Sequence, residues 1–128
     1  MTASTFSKRE RMVSQRLIDT LFQGEGSRSM AAFPVRVVYR KEPRQQGDAP
    51  VQLLISVPKK RFRHAVDRNR VKRQIREAYR LNKGLLYERM PDGECLLLAF
   101  VWLSDRHLPS EGVHERVVSL LKRLSERL

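Results

Sequence analysis

A single cysteine, Cys95, stands in the 128 residues. No internal disulfide can staple the chain, so its fold must rest on a hydrophobic core. Cys95 opens an apolar run, which favours a buried thiol over a nucleophile. No apolar run approaches the roughly 20 residues of a membrane span. The opening stretch MTASTFSKRERM lacks the apolar centre of a secretory signal. These absences point to a soluble, cytoplasmic, one-domain protein over 1–128. Catalytic apparatus is equally sparse. His64, His107 and His114 and the lone cysteine show no metal-ligand spacing. The GxxxxGK[ST] phosphate loop, the GxSxG elbow and the GxGxxG fingerprint are missing, and no pair of acids is set out as an acid–base couple. The sequence offers no catalytic residue and no protein metal site. His64 as a general base for RNA cleavage is the weaker reading beside a phosphate or base contact.

Acids are scarce overall, 14 against 26 Lys and Arg for a net charge of +12, and scarcest in one place. Residues 59–83, KKRFRHAVDRNRVKRQIREAYRLNK, hold 11 of the cations and only Asp67 and Glu77, so this stretch carries +9 and the other 103 residues +3. Such a block repels itself unless something anionic neutralises it, and phosphate is the usual partner. The charge alone does not choose between RNA, DNA and an acidic membrane surface. A solvated helix face is the bland alternative. That kind of face mixes Glu with Lys, whereas residues 68–83 hold one acid and more Arg than Lys, and Arg is the better bidentate phosphate partner.

The block reads as a helix over residues 68–83. Asp67 suits the N-cap, with Val66 and Val71 placed as a hydrophobic staple. At about 100° per residue, Val71, Ile75, Ala78 and Tyr79 share one face, with Asn82 close by. Arg68, Lys72, Arg76 and Lys83 form a row elsewhere. Asn69, Arg73 and Arg80 widen it, while Arg70 lies nearer Gln74 and Glu77. One strip is there to bury and a broad cationic strip to show.

Around this block the pattern is mixed α and β. Residues 1–6 read as a loose arm. Ser7-Lys8-Arg9-Glu10 has the form of a capping box, predicting a helix from Lys8 to a stop at Gly24, striped by Val13, Leu17, Ile18, Leu21 and Phe22. GEGSRSM reads as a loop. Residues 32–40 read as a strand with Phe33, Val35, Val37 and Tyr39 on one face and Pro34, Arg36, Val38 and Arg40 on the other. The polar KEPRQQGDAP leads to a second strand, 51–57, which could form a long-looped hairpin with the first. A loop or short strand, 59–66, enters the basic helix. Residues 95–103, CLLLAFVWL, suit a strand buried on both faces, with a buried helix as the alternative. Val113, Val117, Leu120, Leu121, Leu124 and Leu128 mark a last helix over about 113–127. The order αββαβα fits a single sheet covered by helices.

Val57-Pro58-Lys59-Lys60-Arg61-Phe62, then Ala65-Val66, Arg68-Asn69-Arg70-Val71-Lys72-Arg73 and Ile75-Arg76-Glu77 together resemble the signature of the bacterial ribonuclease P protein subunit. The resemblance is strong over residues 56–80 and extends more loosely to nearly the whole chain. It implies an α+β fold, an α/β sandwich of the ribosomal-protein type with a left-handed βαβ crossover, against the usual handedness. It implies that a partner RNA subunit carries the active site and its Mg²⁺, that the protein holds no ion tightly, and that the holoenzyme removes the 5′ leader of precursor tRNA. The partners implied are these two RNAs, with no membrane and no obligate protein partner. The implied RNA contacts are Lys59, Lys60, Arg61, Arg68, Asn69, Arg70, Lys72, Arg73, Arg76 and Arg80. A leader cleft between the sheet and the first helix would use Phe22, Phe33, Arg36 and Tyr39, with aromatic rings for stacking and Arg36 on a phosphate. Core packing is the plain alternative for Phe22 and Phe33. Lys8, Arg9 and Arg11 would add substrate contacts or merely be solvated. A ribosomal or ribosome-assembly protein is the competing function, and a stand-alone nuclease using His64 a third.

Overall fold

The computed structural model describes residues 6–128. Apart from Phe6, the expected arm lies outside them. Phe6 is docked, its ring edge-on to Tyr79 at 6.1 Å.

Nine segments of regular structure follow. A 3-10 turn at Lys8–Glu10 precedes α1 (Gln15–Gln23), β1 (Arg28–Ala32), β2 (Val35–Pro43), β3 (Val51–Ser56), α2 (Ala65–Asn82), the one-turn α3 (Gly84–Tyr87), β4 (Glu94–Trp102) and α4 (Ser110–Ser125). The strands form one sheet in the order β1-β2-β4-β3. β1 and β2 pair antiparallel, as do β2 and β4, whereas β3 and β4 run parallel. The parallel pair is joined through α2, the connection such a pair requires.

β4 explains this order. Its interior residues, Cys95 to Phe100, are buried on both faces, as their continuous apolar character requires of a central strand. The expected hairpin between residues 32–40 and 51–57 is therefore not formed, because β4 lies between those strands. GEGSRSM is not all loop either: Arg28–Ala32 pairs residue for residue with β2. RSMAA has little intrinsic strand preference, so pairing with a formed neighbour decides it. The extra strand thus precedes β2, and residues 59–64 contain none.

Side chains alternate across the sheet. Val35, Val37 and Tyr39 of β2, Val51 and Leu53 of β3, and Leu96, Leu98, Phe100 and Trp102 of β4 face α2 and α4. Against them pack Val71, Ile75, Ala78 and Tyr79 of α2, as expected, and Val113, Val117, Leu120, Leu121 and Leu124 of α4. The opposite face is covered more thinly. Val38, Cys95, Leu97 and Ala99 meet Met12, Leu21, Leu17 and Ile18 there.

The N-terminal stretch departs most from expectation. The box at Ser7 exists, with the Glu10 carboxylate accepting from the Ser7 N–H at 2.6 Å, but it closes only the 3-10 turn. Arg11 then bridges to Leu53, with the Met12 N–H bonded to the Leu53 carbonyl at 2.9 Å, so the chain lines the free edge of β3. The helix starts after Ser14, whose hydroxyl accepts from Leu17 N–H. Val13 is consequently 81% exposed.

Candidate nucleic-acid interface

The basic segment begins where β3 ends. Pro58–Arg61 form a turn closed by the Arg61 N–H on the Pro58 carbonyl at 2.9 Å, and it presents Lys59 and Lys60 to solvent. Arg61 is half-buried, its Nε enclosed without a described hydrogen-bond partner. Phe62 turns inward and stacks on His107, ring centroids 4.5 Å apart and planes within 17°. His107 Nε2 in turn lies 3.0 Å from an Asp67 carboxylate oxygen.

This arrangement displaces the expected cap. α2 starts at Ala65 behind His64, three residues earlier than Asp67 would allow as N-cap. Asp67 sits in the first turn, where its charge still suits the positive end of the helix, but its carboxylate is turned to His107. Val66 is 74% exposed and forms no staple. Arg68 donates to the carbonyls of Phe62 (2.8 Å) and Arg63 (3.0 Å), tying the incoming loop to the helix.

Beyond Arg68 the cationic side is displayed. Asn69, Arg70, Arg73 and Arg76 are exposed and Lys72 is half-buried. No described carboxylate pairs with any of these. Arg80 differs: it holds both oxygens of Glu77, at 2.5 and 3.1 Å. Those bonds keep the Glu77 carboxyl below its usual range and raise Arg80. Lys83 leaves the row altogether. It is 4% exposed and its ammonium is hydrogen-bonded to Glu10, which also accepts from the Tyr87 hydroxyl at 2.5 Å. Burial pushes the Glu10 carboxyl up, but hydrogen bonds from Lys83, Tyr87 and the Ser7 N–H, with the Lys83 charge, hold it net below its usual range. Burial first, and then neighbouring Tyr79 and the Glu10 contact, push the Tyr87 phenol far upward, so it stays a donor.

The leader residues divide. Arg36 is exposed and, by alternation with Val38, lies on the α1 face of the sheet. It is opposite Val101 of β4, which pairs with Ser56 of β3. This row adjoins the 58–64 loop. α1 crosses the same face nearer the other strand ends, because Leu21, Leu17 and Ile18 pack with Val38, Cys95 and Leu97. A part-covered sheet face is left beside α1. Phe22, four residues after Ile18, is 44% exposed. Phe33, in the turn between β1 and β2, is 68% exposed, which removes core packing as its explanation. Tyr39 lies on the opposite face of the sheet from Arg36. It is 6% exposed on the α2–α4 face, its hydroxyl accepting from Arg127 at 3.2 Å.

Two features carried no local signal. In the Phe62–His107–Asp67 unit His107 comes from 40 or more positions beyond the other two, and Lys83–Glu10 spans 73. Each needs the fold before its partners meet. Among the described residues, no three His, Cys, Asp or Glu side chains are grouped to hold a metal ion, and no helix is long and apolar enough to cross a membrane.

Comparison with known proteins bears on this surface. The family model described as Ribonuclease P matches residues 6–125. A ribonuclease P protein component from Porphyromonas gingivalis strain ATCC 33277 is 45% identical over 113 residues, covering 88% of this chain and 80% of the relative. The solved RNase P protein from Thermotoga maritima superposes with a TM-score of 0.63 at 27% identity, covering 89% of this chain and 96% of that one. RNase P protein from Staphylococcus aureus gives a TM-score of 0.66 at 19% identity, over 90% and 94%, a likeness of fold. Since the matched segment runs from the first described residue to the end of α4, the chain belongs to the ribonuclease P protein family.

Proposed function

We propose that this protein is the RNA-binding subunit of ribonuclease P, acting in the 5′ maturation of precursor tRNA. The observation that carries the reading is the cationic surface running from Lys59 along the exposed side of α2, in a chain of this family. Arg70, Lys72, Arg73 and Arg76 have no described acid to neutralise them. They are placed to bind phosphates of the RNA subunit bidentately through Arg and as a point charge through Lys. Lys59, Lys60 and Arg61 extend that contact from the adjoining loop, and Asn69 adds a donor and an acceptor. Arg68 contributes by holding the loop in register, and Arg80 supports the surface from its pairing with Glu77. On the α1 face, Arg36 binds leader phosphate and Phe22 offers a ring on which an unpaired base stacks; exposed Phe33, in the turn between β1 and β2, is the second candidate ring. Tyr39, buried on the other face, drops out of this set.

The protein's role is to bind and position. In this reading phosphodiester hydrolysis belongs to the RNA subunit, and the Mg²⁺ of the holoenzyme is held mainly by that RNA. The protein neutralises phosphate repulsion between the two RNAs, lowering the Mg²⁺ they need to associate. The test compares precursor-tRNA cleavage at low Mg²⁺ by protein alone, RNA subunit alone and the two together. Cleavage only with both is expected. Cleavage by protein alone, free of contaminating nuclease, overturns the reading. So does failure of the protein to stimulate its RNA.

A further inference from the structure

A second concentration of positive charge lies at the other end of the sheet. A cavity of about 570 Å³ is lined by Gly26, Arg28, Tyr39, Arg40, Lys41 and Arg127, a size usual for a ligand pocket. Arg28 pairs in register with Tyr39, so both side chains share the face that α4 covers, and Lys41 follows on that face. Arg127 reaches in from the turn closing α4. The cavity walls lie beside Leu96 and Leu97 at the start of β4, whereas the 58–64 loop adjoins Val101. At about 3.3 Å per residue, the two basic regions are separated by roughly 16 Å of sheet.

Its polar groups are unevenly committed. Arg40 is held by Glu42 at 2.9 Å and by the Glu25 carbonyl, and Lys41 lies 3.8 Å from Glu94. Arg28 and Arg127 have no described carboxylate partner. Tyr39 Oη accepts from Arg127, so its own proton remains to be donated, and no described acceptor takes it. A phenol with a proton to donate, lining one cavity with the guanidinium groups of Arg28 and Arg127, suits a phosphate. The charge also continues along the β1 edge. Arg123 donates to the Ala31 carbonyl and Arg116 to that of Phe33. Arg116 and Arg123, two turns apart on α4, and Arg127 in the turn after it follow one another along β1, each fixed there by its hydrogen bond, with Arg116 also 3.6 Å from Glu115. The row runs from the Phe33 turn to the cavity, and a track of that kind fits a polyanion better than a lone ion.

We propose that this cavity and the arginine row leading to it form a second phosphodiester-binding site, occupied by an RNA strand that passes along the β1 edge. The proposal rests on the reading that RNA is the partner. The test uses the full chain, labelled with ¹³C-tyrosine, titrated with a single-stranded oligouridylate and separately with inorganic phosphate. The same oligonucleotide is used for salt-dependent affinity. Expected are shifts of the Tyr39 ring with the oligonucleotide, their loss in Arg28→Ala, and a log–log salt slope lower in that variant by about 0.7. Arg28→Ala is a safe variant because the Arg28 side chain is exposed and makes no described hydrogen bond or ion pair, while its backbone pairing with Tyr39 is kept. Oligonucleotide binding with Tyr39 unmoved and the Arg28→Ala slope unchanged overturns the site while leaving the α2 contact standing. Tyr39 shifted by inorganic phosphate alone identifies a free-anion site and overturns the RNA track. No oligonucleotide binding by the wild type overturns the RNA reading along with it.

Discussion

Glu10 and Lys83 form the one ion pair among the described residues with both side chains under a tenth exposed. Removing one partner of such a pair strands the other charge in the interior. Glu10→Gln is accordingly expected to lower stability at neutral pH by roughly 3–5 kcal/mol, measured by urea unfolding. The pH dependence follows from the lowered carboxyl. Its unfolded reference is the ordinary carboxyl value of 4.5, and its folded value lies below that. The native state thus holds the proton less tightly, and the contribution is complete above about pH 5 and is lost as pH falls through the folded value. The gap between wild type and Glu10→Gln should narrow over that acid range, and a constant gap would contradict the assignment. Ile75→Ala belongs to another class. Ile75 is fully buried under the sheet, so a loss of roughly 2–5 kcal/mol is expected without pH dependence. The two sites also differ in legibility. The helical period singles out Ile75 and its three companions directly. Lys83 reads as one more surface cation, because its environment is supplied by a residue 73 positions away.

At the level of the element, α2 divides its cations between support and display. Arg68 holds two carbonyls of the preceding loop, Arg80 holds Glu77, and Arg70, Arg73 and Arg76 project from the helix with no described acid on them. The triple variant Arg70→Ala, Arg73→Ala, Arg76→Ala should therefore keep its melting temperature. It should also bind RNA less tightly, with a salt slope flatter by about 0.7 to 0.9 for each phosphate that is no longer neutralised. Arg68→Ala is expected to lower the melting temperature as well, since two carbonyls lose their donor. Filter binding across a salt series, beside thermal scans, separates the two outcomes. A triple variant with wild-type affinity and slope would remove α2 from the interface. Elements were legible where hydrophobic pattern favours one reading, as in the stripe of α4 and in β4, whose short apolar run suited a buried strand first and a buried helix second. They were illegible where a neighbour decides them. β1 exists because β2 offers it an edge, and the stretch before Ser14 lines β3 instead of completing a helix.

The whole molecule carries +12, and that charge acts in opposite directions on folding and on binding. Screening relieves repulsion within the fold, so raising sodium chloride from about 0.05 to about 0.5 M should raise the melting temperature while weakening RNA binding. A melting temperature that falls with salt would mean that solvent-exposed ion pairs such as Arg80–Glu77 outweigh the repulsion. General fold class was open to the eye from the order of patterns. Strand order was not, since no local feature announces that the last strand is inserted between its predecessors. That insertion has a consequence for how the protein is made. During synthesis β1, β2 and β3 leave the ribosome before β4, yet β2 and β3 touch only through it. The sheet has no centre until residue 102 has emerged, and the nascent chain, with its block of eleven cations already outside, must wait for its last quarter before it can close.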